Sequence, residues 1–552
     1  MAGFFVSNFI SGVECPLKYP DKCVKRKMDL KNYTVMQYTS NKFLNDKIFE
    51  STEAGEVYII EGCILNKKKL ISEYGAGWIE ALQNMKRRKE TYFTDFRGAF
   101  SGAHYSPSDD EWTFYTNHLG DHQIFYWNDG EKFIVTSDMN WMTDALKSAG
   151  IKYTLDMHAV KSLLTYGWVE GNGTIAVEVR KVLPGNFIRI EKGKLTQVQE
   201  YHRFVNTKFT HQSEDEIINE IDKRFRNAIA LEYDKDNEYG YKHMALLSGG
   251  LDSRMGLWVA KDMGYAPITA FTFGQSNGED IAIASQIAQK LGISHLIKTL
   301  DDAAYLQNIQ DSVRRTFGLV EVSGTHGASE LLNYDEIGLM HGGLIGDAVI
   351  GTHWKSHIKA SGLIGGNTDL NLIPYNRNYE NEELYFYYER VMHLTLGVQC
   401  SNYENTEYAS PFTDIDFWEY CLTIPLKYRY NHYIYKKWIL KCYPEAAEFD
   451  WEKTGAKITD SEIIVKLKNT HKNIKRRLNG FSELNKGMNP YDYWYESNIQ
   501  IKEMLEGMFE DLLETDLLEE SFKCLIRELY NTKGCRVKVL LISALQCVRE
   551  YF

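Results

Sequence analysis

The 552-residue chain has little proline, no Cys-x-x-Cys pair and no long apolar run. Each of these absences argues against a class of protein. Its 10 prolines are too few for Pro-rich linkers or long disordered segments. Its nine cysteines include no Cys-x-x-Cys pair, which argues against a zinc site and against a disulfide framework. No run of about 18 apolar residues occurs, and the N-terminus has no basic-then-apolar signal pattern. We therefore expect a cytoplasmic protein that does not enter a membrane.

An excess of positive charge is also missing. The chain has 63 Lys and Arg against 75 Asp and Glu, a net charge of −12. This balance argues against nucleic acid as the main partner. The length is too great for one hydrophobic core, so we expect two domains, residues 1–205 and residues 206–552.

The residues that point to chemistry begin at Met244. An apolar run, 244–247, leads into a Ser-Gly-Gly turn, and a helical pattern follows Asp252 and Ser253. A buried strand, a glycine turn and a helix N-terminus are how α/β proteins hold phosphate. A carboxylate beside phosphate normally brings Mg²⁺, and the Lys of the Walker A loop is absent. We therefore expect a magnesium-dependent phosphate site that is not a P-loop.

The segment 248–253 resembles the pyrophosphate loop, Ser-Gly-Gly-x-Asp-Ser, of enzymes that cleave ATP to AMP and pyrophosphate. The order strand 244–247, helix 252–264, strand 268–274 predicts a parallel sheet. Ligands lie at the carboxyl ends of parallel strands, so adenosine is expected near the ends of these two strands. The residues expected to bind ATP are Leu246, Ser248, Gly249, Gly250, Asp252, Ser253, Phe273 and Gly346.

A second glycine cluster lies at 340–351. It resembles the Gly-x-Gly-Gly-Asp-x-x-x-Gly loop of the same enzymes. The resemblance implies that Asp347 is a second Mg²⁺ ligand opposite Asp252. Two carboxylates on separate loops suit a hard ion that keeps some of its waters.

The first 140 residues contain short β-rich segments bounded by turn formers. Three passages, 96–100, 117–126 and 174–186, resemble the glutamine-hydrolysing domain of asparagine synthetase B and its relatives. Ordered matches continue through the second half of the chain. The family resemblance implies an α+β N-terminal Ntn-hydrolase-like sandwich and an α/β C-terminal ATP-pyrophosphatase domain with a parallel sheet.

The chain departs from that family at its N-terminus. Ala2 stands where the family has its nucleophilic Cys, and alanine cannot form a thioester. Glu61-Gly62-Cys63 replaces the glutamine-binding Asn-Gly-Glu loop, and Arg97 replaces an acidic residue. These separate losses favour a natural, degenerate glutaminase kept for structure over an engineered Cys→Ala change.

Two further resemblances concern catalysis. The segment 407–414 resembles a family stretch, Glu-Ala-Arg-x-Pro-Phe-Leu-Asp, that lies beside the reactive carboxylate. Glu407 is then either a proton carrier or an orienting group, or else a salt-bridge partner, and Ala409 replaces the family's Arg. The segment 451–457 resembles a Lys-x-Gly loop of β-lactam synthetases and lasso-peptide cyclases. It implies that Lys453, or alternatively Lys457, stabilises the negative charge that builds up during adenylation and acyl transfer.

Together these resemblances imply an ATP-dependent carboxylate–amine ligase that uses ATP and Mg²⁺ and forms AMP. Its substrate would be a small-molecule or peptide carboxylate, and its amine would not come from glutamine, as in lactam or macrolactam formation. An alternative is amidation of a carboxylated sugar or an amino-acid-like substrate in surface-polysaccharide pathways. An alternative of another class is a catalytically decayed ATP-binding scaffold. A homodimer or pathway partner proteins are further expectations.

Overall fold

The computed structural model describes residues 3–15, 17–30, 32–322, 332–360, 370, 372–373, 379–461, 463–468, 470, 474 and 487–552. Ala2 lies outside the described residues, and so does much of the basic run 466–477. No described helix combines the length and the apolar sequence needed to cross a membrane.

The first part of the chain forms two six-stranded antiparallel sheets, whose strands we number in chain order. The first sheet contains β1 (Gly3–Ser7), β2 (Cys23–Leu30), β3 (Tyr33–Ser40), β8 (Phe125–Asn128), β9 (Phe133–Thr136) and β10 (Arg180–Lys181). The second contains β4 (Ile48–Ser51), β5 (Val57–Gly62), β6 (Phe100–Ser106), β7 (Glu111–Thr116), β11 (Asn186–Glu191) and β12 (Lys194–Glu200).

These two sheets pack face to face, and helices cover their outer faces. Alternate residues along each strand point to opposite faces, so Phe4 and Val6 enter the core between the sheets while Phe5 faces the helices. Helices α3 (Met139–Ser148) and α4 (Met157–Tyr166) share the core on the outer face of the first sheet. Helices α1 (Lys67–Tyr74) and α2 (Trp78–Arg88) cover the second sheet. The result is a four-layered α+β sandwich.

The second part of the chain is built on a five-stranded parallel sheet of order β15-β14-β13-β16-β17. Its strands are β13 (Lys242–Leu246), β14 (Ile268–Gly274), β15 (Ser294–Thr299), β16 (Ile337–His341) and β17 (Tyr408–Ala409). Between the strands run α6 (Leu251–Asp262), α7 (Glu279–Leu291) and α8 (Ile309–Arg315). The structure therefore confirms the predicted sandwich followed by an α/β domain with a parallel sheet.

Helix α5 (Glu214–Tyr239) leads into this sheet. A capping box begins the helix, since the Ser213 side chain accepts from the Glu216 backbone and the Glu216 side chain accepts from the Ser213 backbone. The remaining helices are α9 (Gly346–Val349), α10 (Glu382–Tyr385), α11 (Ile415–Thr423), α12 (Leu426–Arg429), α13 (Tyr433–Cys442), α14 (Tyr491–Ser497), α15 (Ile499–Leu513), α16 (Glu520–Thr532) and α17 (Cys535–Tyr551). A π-helix spans Phe386–Thr395.

The last four helices, α14 to α17, pack back onto the sandwich. They share one hydrophobic core with α3, α4 and the outer face of the first sheet, and α17 lies against α4. The predicted domain boundary at 205/206 lies in the segment between β12 and α5, which contains no helix or strand. We propose that residues 205 and 206 separate the two domains along the chain. The hydrophobic core described above nevertheless contains residues from both domains.

A buried network of charges also joins the two parts. Asp46 of the sandwich is fully buried and accepts hydrogen bonds from Lys67 and from Tyr239 Oη, the latter at 2.6 Å. Lys235 Nζ of α5 lies 3.0 Å from Asp46 Oδ2, and Glu238 pairs with both lysines at 2.9 Å. Burial opposes ionisation of Asp46, but the two lysines outweigh it and hold the pKa of the carboxyl below its usual range.

A second buried cluster ties α5 to the sheet. His341 Nε2 lies 2.7 Å from Asp236 Oδ2 and its Nδ1 lies 3.2 Å from Glu232 Oε2. His243 Nδ1 lies 2.9 Å from the same Asp236 oxygen. Burial alone lowers the pKa of His341, but the two carboxylates outweigh burial and raise it to about 9.

This cluster predicts a loss of stability at alkaline pH. The folded-state pKa of His341 lies above the 6.5 of free histidine, so its ion pair with Asp236 stabilises the fold fully below pH 6.5 and is lost as the pH rises through about 9. We expect the free energy of unfolding in urea to fall by about 3 kcal/mol between pH 6 and 9.5. His341→Gln should flatten that slope, and an equal slope in both proteins would contradict the assignment.

Candidate active site

A cleft opens at the carboxyl ends of β13 and β16. From β13 the chain builds β14 and β15 on one side, and β16 and β17 then lie on the other side. The loops after β13 and β16 therefore diverge and leave a crevice, which is where open α/β sheets bind ligands. The cleft has a volume of about 460 Å³.

The loop 247–250 forms one wall of this cleft. Ser248 N donates to Ser253 Oγ at 3.0 Å, and the two hydroxyl oxygens lie 2.9 Å apart. Gly249 N donates to Asp280 Oδ1 at 2.9 Å, and Gly250 N donates to Ser248 Oγ at 3.2 Å. Helix α6 begins immediately after this loop, so its amino end points into the cleft.

Two carboxylates meet beside the loop. Asp347 N on α9 donates to Asp252 Oδ2 at 2.9 Å, and Tyr435 Oη on α13 donates to Asp252 Oδ1 at 3.0 Å. Burial, and then the neighbouring Asp347, raise the pKa of Asp252 to about 7. Paired carboxylate oxygens that repel each other are the hard donors that Mg²⁺ prefers, so the donor set fits this ion.

Glycine lets these loops approach each other. A Cβ on Gly343 would overlap the backbone nitrogen of Ser253. A Cβ on Gly346 would lie 2.6 Å from Asp252 Cγ and 2.8 Å from Phe412 Cε2. The glycine cluster after β16 is thus needed for packing against α6.

Gly346→Ala should therefore weaken binding of Mg²⁺ and ATP. The added methyl group displaces Asp252 or α9, and overpacking of this kind costs about 1–3 kcal/mol, which corresponds to a loss of affinity of about 5- to 150-fold. Titration calorimetry with ATP in the presence of Mg²⁺ measures the effect. Gly507→Ala is the matched control, because a Cβ there meets nothing within 4 Å. Unchanged affinity in Gly346→Ala would contradict this role.

Lys453 lines the same cleft as the loop. Its Nζ is 3.8 Å from Asp347 Oδ2 and 5.6 Å from the centre of the Trp451 ring. The side chain is 47% exposed, so it can move towards a bound anion. Lys457 is exposed and does not line the cleft, so the geometry favours Lys453.

Comparison with protein families gives two matches. Residues 220–351 match the asparagine synthase family, and residues 56–202 match the glutamine amidotransferase domain. The chain is of the asparagine synthetase type. The asparagine synthase match supports an ATP-using ligase or synthetase, and it names neither a carboxylate nor an amine.

Individual relatives of this asparagine synthetase-type chain are distant. The 7-cyano-7-deazaguanine synthase of Legionella pneumophila (strain Paris) is 41% identical over 66 residues, which are 12% of this chain and 29% of that protein. The chain thus spans less than a third of the length of the curated relative it matches.

The likeness of this chain to solved structures is weak. The glutamine phosphoribosylpyrophosphate amidotransferase of B. subtilis has a TM-score of 0.23 and 11% identity, covering 50% of this chain and 78% of that one. An allosteric regulatory enzyme of purine biosynthesis has a TM-score of 0.22 and 10% identity, covering 49% and 66%. NMN synthetase of Francisella tularensis has a TM-score of 0.15 and 21% identity, covering 19% and 47%.

Most residues expected to bind ATP line the cleft of this asparagine synthetase-type chain. Phe271, Phe273, Leu246 and Met488 form a mutually packed apolar group at the ends of β13 and β14. Among the expected residues, Ser248, Gly250, Asp252 and Ser253 also line the cleft. Gly249 and Gly346 lie behind it, where their lack of a side chain permits close packing.

Glu407 is not brought to the cleft, which corrects the interpretation of Glu407 as a proton carrier there. It precedes β17, and its side chain turns towards the sandwich. It is 2% exposed, and its Oε2 lies 2.9 Å from His122 Nε2. Burial lowers the pKa of His122, but Glu407 outweighs burial and the net pKa is raised. The geometry matches the alternative, a salt-bridge partner.

The sequence reasoning missed the groups that hold these loops in place. The fully buried Arg254 donates to the carbonyls of Gly249 at 3.1 Å and Asp450 at 2.6 Å. It thereby fastens the segment before Lys453 to the Ser-Gly-Gly loop. The buried Arg429 donates to Gly351 O at 3.1 Å, just after α9.

Arg254 gave a signal in the sequence, because a charged residue on the inner face of the helix after the glycine turn needs partners. Tyr435 and Arg429 gave none, since each lies far along the chain from the loop it contacts.

Proposed function

We propose that this chain is an ATP-dependent amide-bond synthetase that joins a substrate carboxylate to an amine not taken from glutamine. The observation that carries the proposal is the convergence of Asp252, Asp347 and Lys453 on one cleft beside the 248–253 loop. The carboxylates would hold Mg²⁺, which neutralises triphosphate charge when bound. The apolar group at Phe271 and Phe273 would hold the adenine ring.

The proposed chemistry has two steps. A carboxylate oxygen attacks the α-phosphorus of ATP, the bond to the bridging oxygen breaks, and pyrophosphate leaves. The amine then attacks the acyl carbon, loses a proton, and AMP leaves. Both steps build up negative charge, which the Lys453 ammonium can offset. The remaining rate acceleration would come from holding the reactants in position. Arg254 would hold the segment that carries Lys453 in a fixed position relative to the 248–253 loop.

The source of the amine is inferred from the sandwich. Glu61 is 1% exposed, and its carboxylate accepts from Thr39 Oγ1 at 2.6 Å and Gln37 Nε2 at 3.1 Å. Arg97 Nη2 pairs with Asp416 Oδ1 at 2.9 Å, which ties it to the synthetase part. Both residues are engaged in structural contacts, which supports a sandwich retained as a scaffold. The amine would then be part of the substrate, as in lactam or macrolactam formation, or come from a second molecule.

ATP–pyrophosphate exchange tests the adenylation step. A panel of amino acids, peptides and carboxylated sugars is added with ATP, Mg²⁺ and labelled pyrophosphate. We expect one class of carboxylate to support exchange, and Asp252→Asn to abolish it. If no carboxylate supports exchange, and Asp252→Asn leaves ATP binding and every measured phenotype unchanged, the chain is a scaffold and the proposal is wrong.

The scaffold role of the sandwich predicts that Ala2→Cys restores no glutaminase. Glu61 and Arg97 replace two further groups, so a thiol alone should release no more glutamate from glutamine than the parent chain does. A coupled glutamate assay measures this. Robust glutamate release would show that Ala2 was the sole defect.

A further inference from the structure

One buried side chain in the cleft, that of His432, has polar atoms for which the described residues offer no hydrogen-bond partner. His432 is 3% exposed and lines the cleft together with Asp347 and Lys453. Within the described part of the chain, neither ring nitrogen of His432 makes a hydrogen bond. Leaving a buried polar group unsatisfied costs about 1–3 kcal/mol, so native proteins seldom do so without a ligand or water to satisfy it.

The backbone of His432 is also unusual. Its φ is +60°, in the left-handed region that few residues other than glycine adopt. Strain of this kind is found most often at ligand sites, where the side chain has a task. His432 is the N-cap of the ten-residue helix α13, whose amino end is thereby directed at the cleft.

The ring is held in place on two sides. Its centroid lies 5.4 Å from that of Trp451, edge to face, and a Cβ on Gly351 would lie 3.0 Å from His432 Cδ2. Three residues after His432, Tyr435 of α13 donates to Asp252. One helix terminus therefore serves both a metal-binding carboxylate and the free imidazole.

The surroundings favour an anion. The charged groups that act most on the ring are Lys453, Asp347 and Lys436. Cations outnumber the carboxylate, and the helix amino end adds partial positive charge. The apolar group that would hold adenine is made of other residues, at the ends of β13 and β14.

We propose that His432, with the amino end of α13, binds the β- and γ-phosphates of ATP across the cleft from the 248–253 loop. It would then hold pyrophosphate as it forms and leaves. This rests on the proposed function only in that the cleft takes ATP. The site would give the pyrophosphate end two walls: the glycine loop with α6, and His432 with α13.

The test uses the full chain and three probes: ATP, inorganic pyrophosphate and AMP, each titrated calorimetrically with Mg²⁺. His432→Asn removes the ring and keeps a residue that tolerates the left-handed backbone. We expect the dissociation constants of ATP and pyrophosphate to rise about 10- to 100-fold, as for loss of a hydrogen bond to a charged group. The dissociation constant of AMP should stay within about twofold.

Controls separate this role from folding and from the proposed function. His353→Asn changes an exposed histidine whose ring centroid lies 6.1 Å from that of His432, and it should alter none of the three constants. His432→Gln, whose amide nitrogen extends about as far as the ring Nε2 whereas that of Asn is shorter, should restore part of the loss and replaces His432→Asn if that variant does not fold. Equal weakening of AMP and pyrophosphate, or no change in either, overturns the assignment. If the wild type binds neither ATP nor pyrophosphate, the proposed function falls and this site with it.

Discussion

Lys453→Met should lower the rate of ATP–pyrophosphate exchange about 100- to 1000-fold, the usual loss when one group that stabilises transition-state charge is removed. The ammonium is 3.8 Å from Asp347 and nearly half exposed. An ion pair so exposed adds little to stability, so the variant should unfold within about 0.5 kcal/mol of the wild type. The measurement is the exchange rate at saturating ATP, with the carboxylate that the panel identifies.

Lys457→Met is the matched control for this prediction. Lys457 lies four residues further along the same loop, is exposed and does not line the cleft. It should keep exchange within about twofold of the wild type. Equal losses in both variants would mean that the loop, and not the Lys453 charge, matters. Wild-type exchange in Lys453→Met would remove the residue from the mechanism.

Asp46→Ala should destabilise the protein by about 3–5 kcal/mol. Asp46 is fully buried, and its loss leaves Lys67 and Lys235 with Glu238 as their remaining anion. Removing one partner from a buried ionic network costs more than the network adds, because an uncompensated buried charge remains. Lys67 belongs to the sandwich and Lys235 to helix α5, so we expect the substitution to destabilise both parts of the chain. Urea unfolding monitored by tryptophan fluorescence measures the change.

Asp29→Ala provides the comparison. The Asp29 side chain is 69% exposed and pairs with Lys27 at 3.2 Å on the strand β2. Surface pairs of this kind contribute about 0–1 kcal/mol, so the variant should unfold close to the wild type. A loss below about 1 kcal/mol in Asp46→Ala would show that Glu238 alone neutralises the two lysines.

The elements around the cleft could be predicted because their signals are local. An apolar run, a glycine turn and a helical pattern indicated β13, the loop and α6, and the strand that follows indicated a parallel sheet. The position of Asp347 opposite Asp252 was implied by a motif resemblance. The structure brings the two residues together because each follows a strand, β13 or β16, that ends at the same edge of the sheet. These predictions depend on a few neighbouring residues each.

The remaining contacts depend on how distant segments pack. Nothing near Tyr435 indicates that α13 would dock on a loop almost 200 residues earlier. For Glu407, the sequence did not determine the direction of the side chain. Successive side chains along a strand point to opposite faces, so a shift of one residue reverses the direction. The backbone N–H and carbonyl of Glu407 lie beside β16, where Met340 N donates to Glu407 O at 3.0 Å, yet its carboxylate faces the sandwich. A motif match gives the position along the chain and leaves that direction undetermined.

The shared core of the sandwich and the last four helices has a consequence for how the protein is made. Helix α4 ends at Tyr166, whereas α17, which lies against it, begins only at Cys535. A ribosome adding roughly 5–20 residues per second needs about 20 to 75 seconds to synthesise the intervening chain. During that time α14 to α17 do not cover the apolar face of α3 and α4, so the growing chain exposes this face until α17 has emerged.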